Sequence, residues 1–175
     1  MKLFNICFTG ISGSGKSTLA NSVKEKLKEK GIKVQILDGD DTRKEIGDLF
    51  GHTREERIKM NRINRMVAHY LNCNDINTII AIVAPFQEMR TIMREYFGSS
   101  YIEVYVQCSE QVCRQRDVKG YYQLEQEGQM HNLNGVNDIF EVPDFSELTI
   151  DTENESIEFA TEKILKYLME NGYAV

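Results

Sequence analysis

The stretch Gly10-Ile11-Ser12-Gly13-Ser14-Gly15-Lys16-Ser17-Thr18 constrains this chain more than any other part of it. It satisfies the spacing G-x-x-x-x-G-K-[ST]. Closely spaced glycines let the backbone turn tightly enough to aim several N–H groups at one point, which makes a nest for phosphate. A helix that starts there adds the positive end of its dipole. Lys16 can reach the β- and γ-phosphates of a nucleoside triphosphate, and the Ser17 hydroxyl can ligate Mg²⁺. The pattern carries weight only where a strand precedes the loop and a helix follows it. Leu3 to Thr9 is largely apolar and β-prone, as a buried parallel strand requires. Beyond the loop, Leu19, Ala20, Val23 and Leu27 recur at helical spacing, and Gly31 stops the helix. The loop implies a nucleoside triphosphate or a close analogue. Alone, it does not separate a kinase from a GTPase or a motor.

The remaining chain alternates strands with helices. Further strands are expected at Lys33–Leu37, Thr78–Ala84, Tyr101–Val106 and around Leu148 and Ile150. Short helices are expected over Thr42–Phe50, Phe86–Phe97 and, behind a Ser109 cap, Glu110–Arg116. Thr53-x-x-Glu56 fits a capping box for a longer helix, with Ile58, Ile63, Val67 and Tyr70 or Leu71 toward the core. Thr152-x-x-Glu155 can cap a last helix that Asn171-Gly172 ends. This order predicts an α/β fold, a parallel sheet with helices on both faces. At 175 residues the chain suits a single domain over 1–175.

Net charge is −6, so no global basic field recruits nucleic acid or an anionic membrane. Anionic substrates need local cations. Arg43 stands in the second helix, and Arg54, Arg57, Arg62 and Arg65 accompany the longer one; one or two of these are expected at the substrate. The four cysteines form no C-x-x-C pair and read as free thiols of a reducing compartment. With no signal peptide and no apolar run long enough for a bilayer, the expectation is a cytoplasmic protein.

Asp38-Gly39-Asp40-Asp41 closes the second strand, where open α/β sheets bind ligands. Asp38 is the expected functional carboxylate, and Asp40 or Asp41 the helix cap. No aspartate closes Thr78–Ala84, so metal ligation is expected from Ser17, the triphosphate and Asp38. Asp117 to Val142 is glycine- and amide-rich with few aliphatic residues, and reads as a mobile lid with Arg114, Arg116 and Lys119 at its entrance.

The chain resembles the adenylyl-sulfate (APS) kinases over nearly its whole length. The resemblance rests on the loop, on Leu37-Asp-Gly-Asp-Asp-Thr-Arg43, Gly51-His-Thr-Arg-Glu-Glu-Arg57, Ala84-Pro-Phe86, Val112-Cys-Arg-Gln-Arg-Asp-Val-Lys-Gly120, Leu133-Asn-Gly-Val-Asn137 and Ile150-Asp-Thr152. It implies a single-domain P-loop kinase fold. It implies transfer of the γ-phosphate of MgATP to the 3′-hydroxyl of a nucleotide with an activated 5′ end. It assigns Ser12, Gly13, Ser14, Gly15, Lys16, Ser17 and Thr18 to the ATP phosphates, Ser17 and Asp38 to Mg²⁺, and Arg116 and Thr152 to the adenine side. Asp38 then orients or deprotonates the attacking hydroxyl, with Asp40 the second candidate; Arg43 and Arg57 grip the acceptor, and Lys119 serves the transferring phosphoryl. A homodimer is also implied.

The departures fall on the acceptor side. His52 and Leu133 stand where the family carries two phenylalanines that sandwich the acceptor base, and Met60 where it carries an asparagine. Val83-Ala84-Pro85-Phe86 replaces Ile-Ser-Pro-Tyr, and Gln123-Leu124 a Lys-Lys pair. A lost stacking face is worth ~1–3 kcal/mol. Two acceptors therefore remain open: adenylyl-sulfate, or a cytidine nucleotide as in the family's cytidine diphosphoramidate kinases of capsular polysaccharide pathways. A third reading is a GTP-dependent or non-catalytic regulator. Asp48-Leu-Phe-Gly51 matches D-x-x-G, but no strand precedes it and no N-K-x-D follows.

Overall fold

A computed structural model describes residues 2–173. Five strands, β1 (Asn5–Thr9), β2 (Val34–Asp38), β3 (Asn77–Ala81), β4 (Tyr101–Gln107) and β5 (Leu148–Asp151), form one parallel sheet in the order β2-β3-β1-β4-β5. The phosphate loop leaves β1, the central strand. Alternation along the strands sends side chains to two faces. Ile6, Phe8, Ile79 and Val104 pack with α1 (Lys16–Glu29) and α7 (Ile157–Glu170). Cys7, Ile80 and Ile82 pack against α3 (Arg54–Asn72) and α4 (Gln87–Phe97). Helices thus cover both faces of a parallel α/β sheet, as the order of elements in the sequence predicts.

Several boundaries differ from expectation for local reasons. Asp38 itself caps α2 (Gly39–Ile46), its Oδ1 accepting from the Asp40 N–H at 2.9 Å, so the helix starts ahead of Thr42. A single 3₁₀ turn, Gly47–Leu49, follows. β3 stops at Ala81 because β1 ends at Thr9, whose hydroxyl donates to the Val83 carbonyl at 2.7 Å. Ser156 caps α7, since Thr152 is committed elsewhere: its hydroxyl donates to the Ser14 carbonyl at 2.8 Å. The capping box at Thr53 forms as expected. The buried stripe of α3, however, is Met60, Asn61, Asn64 and Ala68, while Val67 and Tyr70 are exposed. The helix is turned so that polar groups face a cleft.

Residues 117–142 are not a structureless loop. They carry α6 (Tyr121–Gln126), which follows α5 (Glu110–Arg116), and a small apolar cluster. Tyr122 and Leu133 pack there with Cys113 and with Ile11 of the phosphate loop. Gly135 adopts φ +87°, and a Cβ on it would come within 2.5 Å of Ile11. The far end of the segment is tied to α4. The buried Arg90 donates to the carbonyls of Ala84 at 2.7 Å and Glu141 at 2.8 Å. Its guanidinium also lies 3.4 Å from Glu103, whose carboxyl burial holds above the usual range. Among the described residues no helix is long and apolar enough to cross a membrane.

Candidate active site

The loop turns as its glycines allow. Gly10, Gly13 and Gly15 all have positive φ, and Gly13 also runs close to α5, where a Cβ would lie 3.1 Å from the Cys113 carbonyl. Lys16 opens α1 with its ammonium folded under the loop, donating to the carbonyls of Gly10 at 2.8 Å and Ile11 at 2.7 Å. Burial, and then the neighbouring Lys119, lower its pKa from 10.5 to about 8, against the pull of Asp40 and Asp38. The sign of the linkage follows. Holding the buried ammonium charged costs stability below about pH 8, and that cost fades as the pH rises toward 10.5. Lys16→Met is therefore expected to be more stable than the parent at pH 7, with the gap closing between pH 8 and pH 10.5. Urea unfolding of both proteins across that range reads it.

Beside Lys16, the Ser17 hydroxyl donates to Asp38 Oδ2 at 2.6 Å, while the other carboxylate oxygen caps α2. The pair is the hard-oxygen donor set that Mg²⁺ takes alongside phosphate and water. Asp40, two residues on, is ion-paired with Lys119 from the segment before α6.

Two clefts meet at these residues. Lys16, Ser17 and Lys119 line both. The first cleft also collects Ser12, Asp38, Asp40, Arg43, His52 and Arg57. Its apolar walls include Met60, Val83 and Leu133. Arg43 donates to the carbonyls of Phe50 and Gly51, each at 3.3 Å. Arg57 donates to the carbonyls of His52 and Asn132, both at 2.8 Å. Burial first, then the charges of Arg43 and Arg57, push His52 below the ordinary histidine range. The second cleft collects Gly13, Gly15, Thr18, Arg116 and Thr152. There Arg116 donates to the Thr152 carbonyl at 2.7 Å and to its hydroxyl at 3.1 Å.

Ser14 lines neither cleft. Its side chain is fully buried, and its carbonyl receives Thr152. Of the arginines on α3, Arg57 alone lines the first cleft; Arg54 pairs with Glu88 and Glu141. Sequence reasoning missed Asn61, Asn64, Tyr121 and Asn132, which line the first cleft. Two asparagines three apart among apolar residues of a helix are the signal for Asn61 and Asn64, since an isolated polar group on a buried face needs a partner.

The chain matches the family model for adenylylsulphate kinase over residues 2–151. The adenylyl-sulfate kinase of Halothermothrix orenii is 41% identical over 168 residues, covering 96% of this chain and 90% of the relative. That of Picosynechococcus is 34% identical, covering 96% and 94%. A solved structure of the Mycobacterium tuberculosis APS kinase in complex with AMPPNP and APS superposes with a TM-score of 0.90 at 28% identity, covering 96% of this chain and 98% of that one. Matched over most of its length by the family model and over nearly all of it by these relatives, the chain belongs to the adenylylsulphate kinase family.

Proposed function

We propose that this protein transfers the γ-phosphate of ATP to the 3′-hydroxyl of adenylyl-sulfate. One observation carries the reading: two clefts, each lined by its own binding groups, share Lys16, Ser17 and Lys119. A donor in one and an acceptor in the other would bring their reacting ends together at the ammonium groups of Lys16 and Lys119. Phosphoryl transfer asks for alignment and positive charge more than for covalent chemistry.

In this reading ATP occupies the second cleft, with its phosphates on the amides of Ser12 through Thr18 and its adenine side by Arg116 and Thr152. Lys16 leaves its loop carbonyls for the β- and γ-phosphates. Ser17 and Asp38 would hold Mg²⁺, which neutralises charge on the triphosphate when bound. Asp38 orients the acceptor hydroxyl and takes its proton, with Asp40 second, since Asp40 is engaged by Lys119. Arg43 and Arg57 hold the acceptor's 5′ end. Residues 117–142 act as the lid, closing water out and bringing Lys119 to the transferring group. The protein works in the cytoplasm as a homodimer; the exposed Met66, Val67 and Tyr70 of α3 offer apolar surface for a second copy.

A second acceptor keeps the same geometry. His52 and Leu133 stand in the first cleft where an aromatic sandwich would hold adenine, so a cytidine diphosphoramidate, with its smaller base, also fits. Mass spectrometry of a reaction with MgATP and both acceptors in competition decides between them. Phosphorylated adenylyl-sulfate as the main product is expected; preference for the cytidine compound changes the substrate and keeps the mechanism, and turnover of neither overturns both.

Arg43→Ala is expected to raise KM for the acceptor about tenfold or more, with KM for ATP nearly unchanged. Steady-state kinetics with each substrate varied reads this. A rise in the ATP term instead would reverse the assignment of the two clefts.

A further inference from the structure

The first cleft holds an amide that nothing in the described residues satisfies. Asn61 is only 5% exposed, and its side-chain oxygen is buried with no hydrogen-bond partner. Its neighbour one turn on shows the ordinary arrangement: Asn64 accepts from the Thr42 hydroxyl at 2.9 Å. A buried carbonyl oxygen left unpaired is costly and rare. Asn61 lines the same cleft as the cations Arg43 and Arg57 and the apolar side chains of Met60, Met89 and Leu133. His52 Nδ1 is a second buried, unpartnered polar atom there. Cations for phosphate, apolar walls for the faces of a ring, and an acceptor with nothing to accept form a set that a nucleotide completes.

We propose that Asn61 is a specificity-determining residue that reads the acceptor's base, its Oδ1 accepting a hydrogen bond from an exocyclic amino group. This rests on the first cleft being the acceptor site. The amino group of adenine or cytosine supplies the missing donor; hypoxanthine and uracil carry a carbonyl in its place and would set two acceptors against each other. The lost aromatic stack is thereby offset by a hydrogen bond at the edge, which selects amino bases over oxo bases without regard to ring size.

The test is calorimetric binding of adenosine and inosine 5′-monophosphate, and of cytidine and uridine 5′-monophosphate, to the full chain saturated with MgADP. The wild type is expected to bind the amino member of at least one pair about tenfold tighter or more. Asn61→Leu should erase that ratio, and Asn61→Asp, which keeps an acceptor oxygen, should retain the preference. A purely structural role would weaken both members of a pair equally and leave the ratio untouched. Asn61→Ala repeats the measurement should the leucine variant fail to fold. Equal binding in the wild type, a preference for oxo bases, no binding of any of the four, or an unchanged ratio in the leucine and alanine variants overturns the proposal. Turnover of adenylyl-sulfate is scored separately. Base preference without turnover would sink the proposed reaction alone, and turnover without base preference would sink this inference alone.

Discussion

Lys16→Ala is expected to lower kcat/KM by about 10³-fold or more while the protein stays folded. The side chain borders both clefts, and in the proposed mechanism its ammonium, with that of Lys119, meets the charge that develops between donor and acceptor. A thousandfold loss corresponds to roughly 4 kcal/mol of transition-state stabilisation, in the range of one well-placed donor in a water-poor site. The same substitution should not destabilise the ligand-free protein. Burial lowers the lysine from 10.5 to about 8, and that difference amounts to ~3 kcal/mol against the charged form at neutral pH. A coupled assay for ADP release, with a thermal melt of the same sample, checks both halves. Retained turnover would remove Lys16 from the mechanism; a collapsed melt would make the lysine structural.

Asp38 carries the second large effect, and here two variants separate two jobs. One carboxylate oxygen receives the Ser17 hydroxyl and the other caps α2. Asp38→Asn keeps an oxygen able to cap the helix but removes the charge and the proposed base. It is expected to cut kcat by about 10²–10⁴-fold and to leave stability within about 0.5 kcal/mol. Asp38→Ala loses the cap as well and should cost a further ~1 kcal/mol of stability. Denaturant unfolding beside steady-state kinetics reads the pair. If the asparagine variant keeps both stability and activity and the alanine variant loses stability, the carboxylate is a cap and nothing more.

How far the sequence carries the molecule depends on how local each instruction is. The loop, its strand and its helix are encoded within thirty residues, and the structure follows them from β1 through Gly31. Ser109 and the Thr53 capping box also act within one turn, and both helices start where those residues place them. Asp38, Arg43, His52, Arg57 and Leu133 come together in one cleft although they are scattered over the chain, and the family resemblance had grouped them. Non-local matters were less legible. Thr152 reads as a cap by spacing, yet the Ser14 carbonyl of the distant phosphate loop claims its hydroxyl, and Ser156 takes the cap. Residues 117–142 look too polar for a core because their cluster borrows Ile11 and Cys113 from outside the segment. On α3 the apolar spacing of Ile58, Ile63 and Val67 points to one face, but Thr42 and the cleft draw Asn61 and Asn64 inward instead. Helical periodicity records which residues share a face and is silent about whether that face meets a sheet or a ligand.

The shared floor of the two clefts has a consequence for inhibition. Lys16, Ser17 and Lys119 border both spaces, so the two clefts adjoin at these side chains. A compound with two nucleosides on one phosphate chain could seat an end in each cleft. Its second end would then bind intramolecularly, at an effective concentration in the mM range for a short tether. Chain length becomes the selective variable: too short and one end is stranded, too long and the tethering advantage declines. A ladder of such dinucleotides, ranked by affinity, would measure the gap across which the phosphoryl group must pass.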